Sequence, residues 1–149
     1  MRKKSKLKIL NGGRLFSDSK TAAVDDGAER SDIDEAITYA AAQFEKNGNR
    51  AKCEHAKLKA LGEADAGTDQ ADHARMACRR FFKMADFYFD ELTRLNRVWS
   101  RKTGFPCIAS AGETPALYIP QTDQVVPATK EQITKIIGVL EYLARDGKE

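Results

Sequence analysis

Followed from the N-terminus, the first regular alternation of apolar and polar positions begins near residue 32. Ile33, Ala36, Ile37, Ala40, Ala41 and Phe44 fall at i, i+3, i+4, i+7, i+8 and i+11, one stripe of an amphipathic helix. The spacing predicts a helix over 32–46, with Asp32 and Glu35 as a capping box and Asn47-Gly48 as the stop. A thinner stripe of Ala51, His55, Leu58 and Leu61 predicts a second helix over 50–61, and Gly62 and Gly67 punctuate the loop after it. The strongest pattern runs over 69–102, where Ala74, Cys78, Phe81, Met84, Ala85, Tyr88, Leu92, Leu95 and Trp99 track one face. Phe82, Phe87, Phe89 and Val98 widen that face, so this helix is expected at the centre of a bundle or in self-association.

After Thr103-Gly104-Phe105-Pro106 the pattern is lost until residue 129. Pro106, Pro115, Pro120 and Pro127 mark a proline-rich loop with room for a short hairpin between Leu117-Tyr118-Ile119 and Val125-Val126, confined to an edge by the prolines. A last helix is predicted over 130–145 from Ile133, Ile136, Ile137, Leu140 and Leu143, with Thr129 and Gln132 spaced as a capping box. The expected fold is all-α, a small helical bundle of about four helices around one long central helix.

Length and composition fit one such domain: 149 residues, 42% hydrophobic and 32% charged, too apolar for a wholly disordered chain. The net charge of +3 conceals a strong segregation. Arg2, Lys3, Lys4, Lys6, Lys8 and Arg14 give +6 over residues 1–14. Asp18, Asp25, Asp26, Glu29, Asp32, Asp34 and Glu35, against Lys20 and Arg30, give −5 over 17–35. The pattern predicts a flexible basic arm and acidic linker over 1–30, then a single helical domain over 31–149. Leu7, Ile9 and Leu15-Phe16 offer the arm a short anchor. Three cysteines at wide spacing do not describe a disulfide framework and favour a reducing compartment. Lys6 and Lys8 interrupt any signal-peptide core, and no apolar run approaches membrane-spanning length, so the expected location is cytoplasmic with no membrane partner.

Chemistry of the catalytic kind finds little support. Cys53, His55, His73 and Cys78 suit Zn²⁺ by type, but residues two apart on a helix diverge by about 200°, and no paired-cysteine knuckle is present. A buried cysteine and two surface or capping histidines explain them more simply. Cys107 has no His or acid placed beside it by any motif. Asp86 and Asp90 share a helix face, yet Lys83 and Arg94 at helical spacing make ordinary surface ion pairs of them. Asn11-Gly12-Gly13 lacks the Gly-Lys-Ser/Thr of a phosphate loop. The expectation is a non-enzymatic protein with no cofactor, no metal and no small-molecule substrate.

The basic residues carry more information. Arg75, Arg79, Arg80, Lys83, Arg94, Arg97, Arg101 and Lys102 outweigh Asp86, Asp90 and Glu91 by +5 over 74–102. Arg75, Arg79 and Lys83 form one row, and Arg94, Arg97 and Arg101 continue a similar row two turns later. Guanidinium groups grip phosphate bidentately, and a basic arm tracks a phosphate backbone. Arg50, Lys52, Lys57 and Lys59 add further cations to the preceding helix. Against this, a chain so rich in charge carries basic helix faces for solubility alone. The nucleic-acid-binding reading therefore rests on Arg2, Lys3, Lys4, Lys6 and Lys8 of the arm together with the two rows.

Five short stretches resemble phage terminase small subunits. Ser5-Lys-Leu-Lys-Ile-Leu-Asn-Gly-Gly13 is similar to the basic, glycine-terminated opening of some members. Leu58-x-x-Leu61-Gly62, Thr68 to Asp72, Ala77-Cys78 and the Gly104 loop resemble the family's middle. The resemblance implies a helical, DNA-binding, ring-forming subunit that recruits genome ends to a packaging motor. The sequence departs from the family in its acidic linker, in the offset of Thr68 from Asp72 and in its last helix, and no specific residue is carried over. The leading expectation is a nucleic-acid-binding homo-oligomer, with DNA as partner. The alternative is a helical protein–protein interaction adaptor using the aromatic face of the long helix.

Overall fold

The computed structural model describes residues 17–62, 65–110 and 112–146. A four-residue helix, α1 (Ser19–Ala22), precedes two long ones, α2 (Arg30–Leu61) and α3 (Asp69–Thr103). Three strands, β1 (Cys107–Ser110), β2 (Ala116–Ile119) and β3 (Gln124–Pro127), lead to α4 (Lys130–Asp146).

Local signals set the limits of α3. The Thr68 hydroxyl accepts the amide of Ala71 at 3.2 Å, Asp69 and Asp72 occupy the positive first turn, and Arg101 and Lys102 the negative last turn. Gly104 stops the helix at φ 84, a left-handed conformation that glycine adopts without steric cost. Of its buried residues, Ala71, Ala74, Cys78, Ala85, Tyr88, Leu95 and Val98 recur at spacings compatible with three and four, the seam of a two-helix supercoil.

The partner helix corrects one expectation. Residues 30–61 form a single helix rather than two, and Asn47-Gly48 lies inside it. Asn47 is buried and its side-chain amide donates to the Gln43 carbonyl at 2.8 Å, so its polar group is satisfied within the helix. Ala40 and Ala51, both fully buried, grip α3 on either side of the pair. That packing outweighs the roughly 1 kcal/mol that a mid-helix glycine costs. The capping box at Asp32 is also absent: α2 starts at Arg30, and Glu29 caps it without a side-chain bond.

The two helices run antiparallel, because contacts that rise along one fall along the other. Tyr39 meets Tyr88, Phe44 meets Phe89, Arg50 lies over Phe81 and the Cys78 thiol reaches the Ala51 carbonyl. Bulk is unevenly spread along this hairpin. Val24, Ile33, Tyr88, Leu95 and Val98 build the main core at its open base, whereas alanines dominate the seam toward Leu61 and Asp69.

Residues 17–29, expected as a mobile linker, dock instead along that base. Asp18 accepts hydrogen bonds from the hydroxyls of both Tyr39 and Tyr88 at 2.5 Å. Thr21 and Val24 are buried against the hairpin. The boundary expected between residues 30 and 31 is therefore crossed by packing and by hydrogen bonds.

The all-α expectation also needs correction, since the structure is mostly helical but carries a three-stranded antiparallel sheet in the order β1-β2-β3. The β2–β3 hairpin lies where Leu117–Ile119 and Val125-Val126 predicted it, with Leu117 opposite Val126 and Tyr118 opposite Val125. β1 adds a strand that the sequence pattern did not announce, paired through Cys107 and Tyr118 with an irregularity between Ile108 and Ser110. Pro127 lies in the edge strand, where a missing N–H leaves no ladder bond unmade. α4 begins as expected: the Gln132 amide donates to the Thr129 hydroxyl at 3.1 Å and the Thr129 amide to the Gln132 side chain at 2.9 Å. Among the described residues no helix is long and apolar enough to cross a membrane.

Candidate nucleic-acid interface

The two expected basic rows of α3 have different fates. In the second row, Arg94 is tied down by four bonds. Its guanidinium donates to the carbonyls of Thr21 and Val24 at 2.6 and 2.7 Å and to both carboxylate oxygens of Glu91. Arg101 pairs with Asp26 at 3.0 Å and donates to the Tyr118 hydroxyl at 3.1 Å. Arg97 lies over the Tyr118 ring at 5.0 Å. These three arginines staple the docked 17–29 segment and the sheet onto α3. Donors of Arg94 and Arg101 are engaged by partners of the same chain, and Arg97 is held by a ring contact. Lys102 is exposed but roughly 28 Å along the helix from Lys83.

A single carboxylate anchors the start of that segment. Burial pushes the Asp18 carboxyl up, but the hydroxyls of Tyr39 and Tyr88, the Lys20 amide and the Lys20 charge outweigh it and hold the carboxyl below its usual range. Burial and the Asp18 hydrogen bond raise the Tyr88 phenol in turn. Around this end the surface is acidic. A groove of about 770 Å³ is lined by Asp25, Asp32 and Glu35, with Lys20 and Tyr39 at its side.

The first row lies in different surroundings. Arg75 is engaged by Asp72 at 2.6 Å and by the Ala66 carbonyl. Beyond it, residues 73–85 of α3 contain no acid, and neither do residues 46–53 of α2. The antiparallel pairing sets these two stretches side by side, so Lys46, Arg50 and Lys52 face the same level as Arg79, Arg80 and Lys83. All six are exposed, and among the described residues none of them forms an ion pair. Arg50 from α2 and Arg80 from α3 converge on one ring, their guanidinium carbons 5.6 and 5.2 Å from the centre of Phe81. Cation–π contact holds both planes without consuming their hydrogen-bond donors.

Lys46 and Arg50 become neighbours only because α2 is continuous. A stop at Asn47-Gly48 separates them, and so their joint belt with α3 was not legible in the sequence; the run of residues without an acid was its available signal. Arg2, Lys3, Lys4, Lys6 and Lys8, with the anchor at Leu7, Ile9 and Leu15-Phe16, lie outside the described residues.

The cysteine and histidine positions do not assemble. Cys53, His55 and His73 are exposed, whereas Cys78 is buried against the Ala51 carbonyl at 3.6 Å. Among the described residues no group of three or more His, Cys, Asp or Glu side chains is placed to hold a metal ion. Cys107 is buried, and burial raises its thiol despite the nearby Ser100, Arg97 and Arg101. Comparison of the chain with protein-family models finds no match, and neither curated proteins nor solved structures give a significant one.

Proposed function

We propose that this chain binds nucleic acid, DNA in the first instance, through the acid-free belt across α2 and α3, and that it performs no chemistry of its own. The observation that carries this reading is the convergence of Arg50 and Arg80 on Phe81 with no carboxylate to neutralise them. Two like charges brought together at a surface repel one another, and a phosphate between them relieves that repulsion while accepting bidentate hydrogen bonds. Lys46 lies one turn before Arg50 on the same side of α2, while Arg79, Lys83 and Lys52 carry positive charge around the hairpin toward its other flank. The acidic groove at the other end repels a polyanion and so orients it toward the belt. A ring-forming role like that of the terminase small subunits belongs to the same proposal, and sedimentation velocity tests it.

Salt-dependent binding is the direct test. The wild-type chain is expected to shift a labelled 30-base-pair duplex or its single strand at about 50 mM salt, with log affinity falling linearly in log salt. Neutralising the pair as Arg50→Gln with Arg80→Gln should weaken binding and flatten that slope by roughly 1–2. Absence of binding at low salt, or an unchanged slope in the double variant, rejects the belt as the interface. A second reading, an adaptor for another protein, is favoured by the exposure of Phe44, Phe82 and Phe89 on the same hairpin.

A further inference from the structure

Phe82 and Phe89 stand seven residues apart on α3 and are 50% and 55% exposed, unusual for phenylalanine on a helix whose neighbours pack a seam. Both occupy the position just after a seam residue, Phe81 or Tyr88, and so share one flank of the helix. Phe44 of α2 lies against Phe89, with ring centres 5.9 Å apart. Cover from α2 is missing at the level of Phe82. The pairings of Arg50 with Phe81 and of Phe44 with Phe89 place Gly48 opposite it, and a methyl group added there would meet nothing within 4 Å.

Charge distinguishes this flank from an ordinary hydrophobic contact surface. Arg79 lies one turn before Phe82, Lys83 follows it, and Lys52 lies at the level of Arg79 across the hairpin. The Phe82 ring stands among the cations Arg79, Lys83 and Lys52, unpaired among the described residues, with the exposed Asp86 one turn further on toward Phe89. A bare ring beside unpaired cations matches a ligand with alternating flat rings and negative charges. Duplex DNA offers phosphates there but keeps its base faces stacked inside. A single strand offers both. Phe82 and Phe89 are roughly 10 Å apart along the helix, a gap that an extended strand crosses within two or three nucleotides.

We propose that Phe82, with Phe89 and Phe44 beyond it, is a stacking platform for unpaired bases, so that the preferred ligand is single-stranded nucleic acid. This inference rests on the belt reading above. Arg79 and Lys83 hold the backbone, and the phenylalanine rings take the bases without choosing among them.

Fluorescence anisotropy with three labelled probes of equal length separates the claims: a mixed-sequence single strand, its duplex, and an abasic strand with the same phosphates. The single strand is expected to bind at least tenfold tighter than either of the others. Phe82→Ala should lower its affinity by about 5- to 150-fold per stacked base lost and leave the abasic strand unaffected, while Phe82→Trp restores binding. Phe82 is half-exposed, so circular dichroism should show the variant folded. Equal affinity for normal and abasic strands, or an unmoved Phe82→Ala, overturns the platform while the belt stands. Failure to bind even the abasic strand at low salt removes the belt, and the platform with it. Self-association lost in Phe82→Ala with unchanged strand affinity assigns the ring to a protein contact and overturns the proposal.

Discussion

Replacing Arg94 with Met tests whether the second arginine row is structural. The substitution keeps the apolar stem and removes the guanidinium, so packing along α3 changes little. Two charge-assisted bonds to the Thr21 and Val24 carbonyls disappear, and Glu91, only 16% exposed, loses its partner. Hydrogen bonds involving a charged group contribute about 1.5–3 kcal/mol each in mutational series. The Arg94 side chain is 37% exposed, so water replaces part of what is lost and the low end of that range applies to each bond. The expected cost is about 2–3 kcal/mol, or roughly 5–10 °C in Tm for a domain of this size. Urea unfolding followed by far-ultraviolet circular dichroism gives the stability, and the same protein at saturating fold gives its affinity for a labelled oligonucleotide. Stability should fall while affinity holds, the reverse of what Arg80→Gln does. A stable Arg94→Met protein with weakened binding would refute the assignment of this row to the fold.

Two further variants address the anchor and the helix junction. Because the Asp18 carboxyl is held below its ordinary value of 3.8, the stability it confers is present above that pH and lost as pH falls through the lower folded value. The raised Tyr88 phenol gives the opposite sign: its contribution is present below the ordinary tyrosine value of 10.0 and lost as pH climbs through the higher folded one. The difference in urea midpoint between wild type and Asp18→Asn should therefore be widest between those limits and shrink at both ends; a constant difference across pH contradicts the anchor. Gly48→Ala should stabilise the chain by about 0.5–1 kcal/mol, since α2 continues through the site and an added methyl group meets nothing within 4 Å. A fall in urea midpoint would show that the helix does bend there.

Much of the fold follows from patterns that lie close together in sequence. The long seam of α3, its Thr68 cap and its Gly104 stop are local signals, and so is the Thr129–Gln132 box of α4. The failures have a common cause in distant partners. Asn47-Gly48 has the composition of a helix end, but Ala40 and Ala51 packing on α3 decides the matter. The acidic residues of 17–29 resemble a solvated linker until Tyr39, Tyr88, Arg94 and Arg101 are brought beside them. The intrachain partners of the second arginine row were hidden for the same reason. Spacing places Arg94, Arg97 and Arg101 on a helix, yet only tertiary contacts reveal that carbonyls, a ring and an aspartate already occupy them.

The alanine seam bears on how the hairpin moves. Alanine buries little area, so the stretch from Ala51 to Leu61 and from Asp69 back to Ala74 is held by far less apolar surface than the Ile33–Tyr88–Leu95 base. Partial opening from the turn costs less than global unfolding, and amide exchange along the hairpin should grade from fast at the tip to slow at the base. The belt straddles that gradient. On the proposed reading, a polyanion bridging Arg50 and Arg80 would tie the two helices together between the firm base and the weaker tip, linking binding thermodynamically to local order.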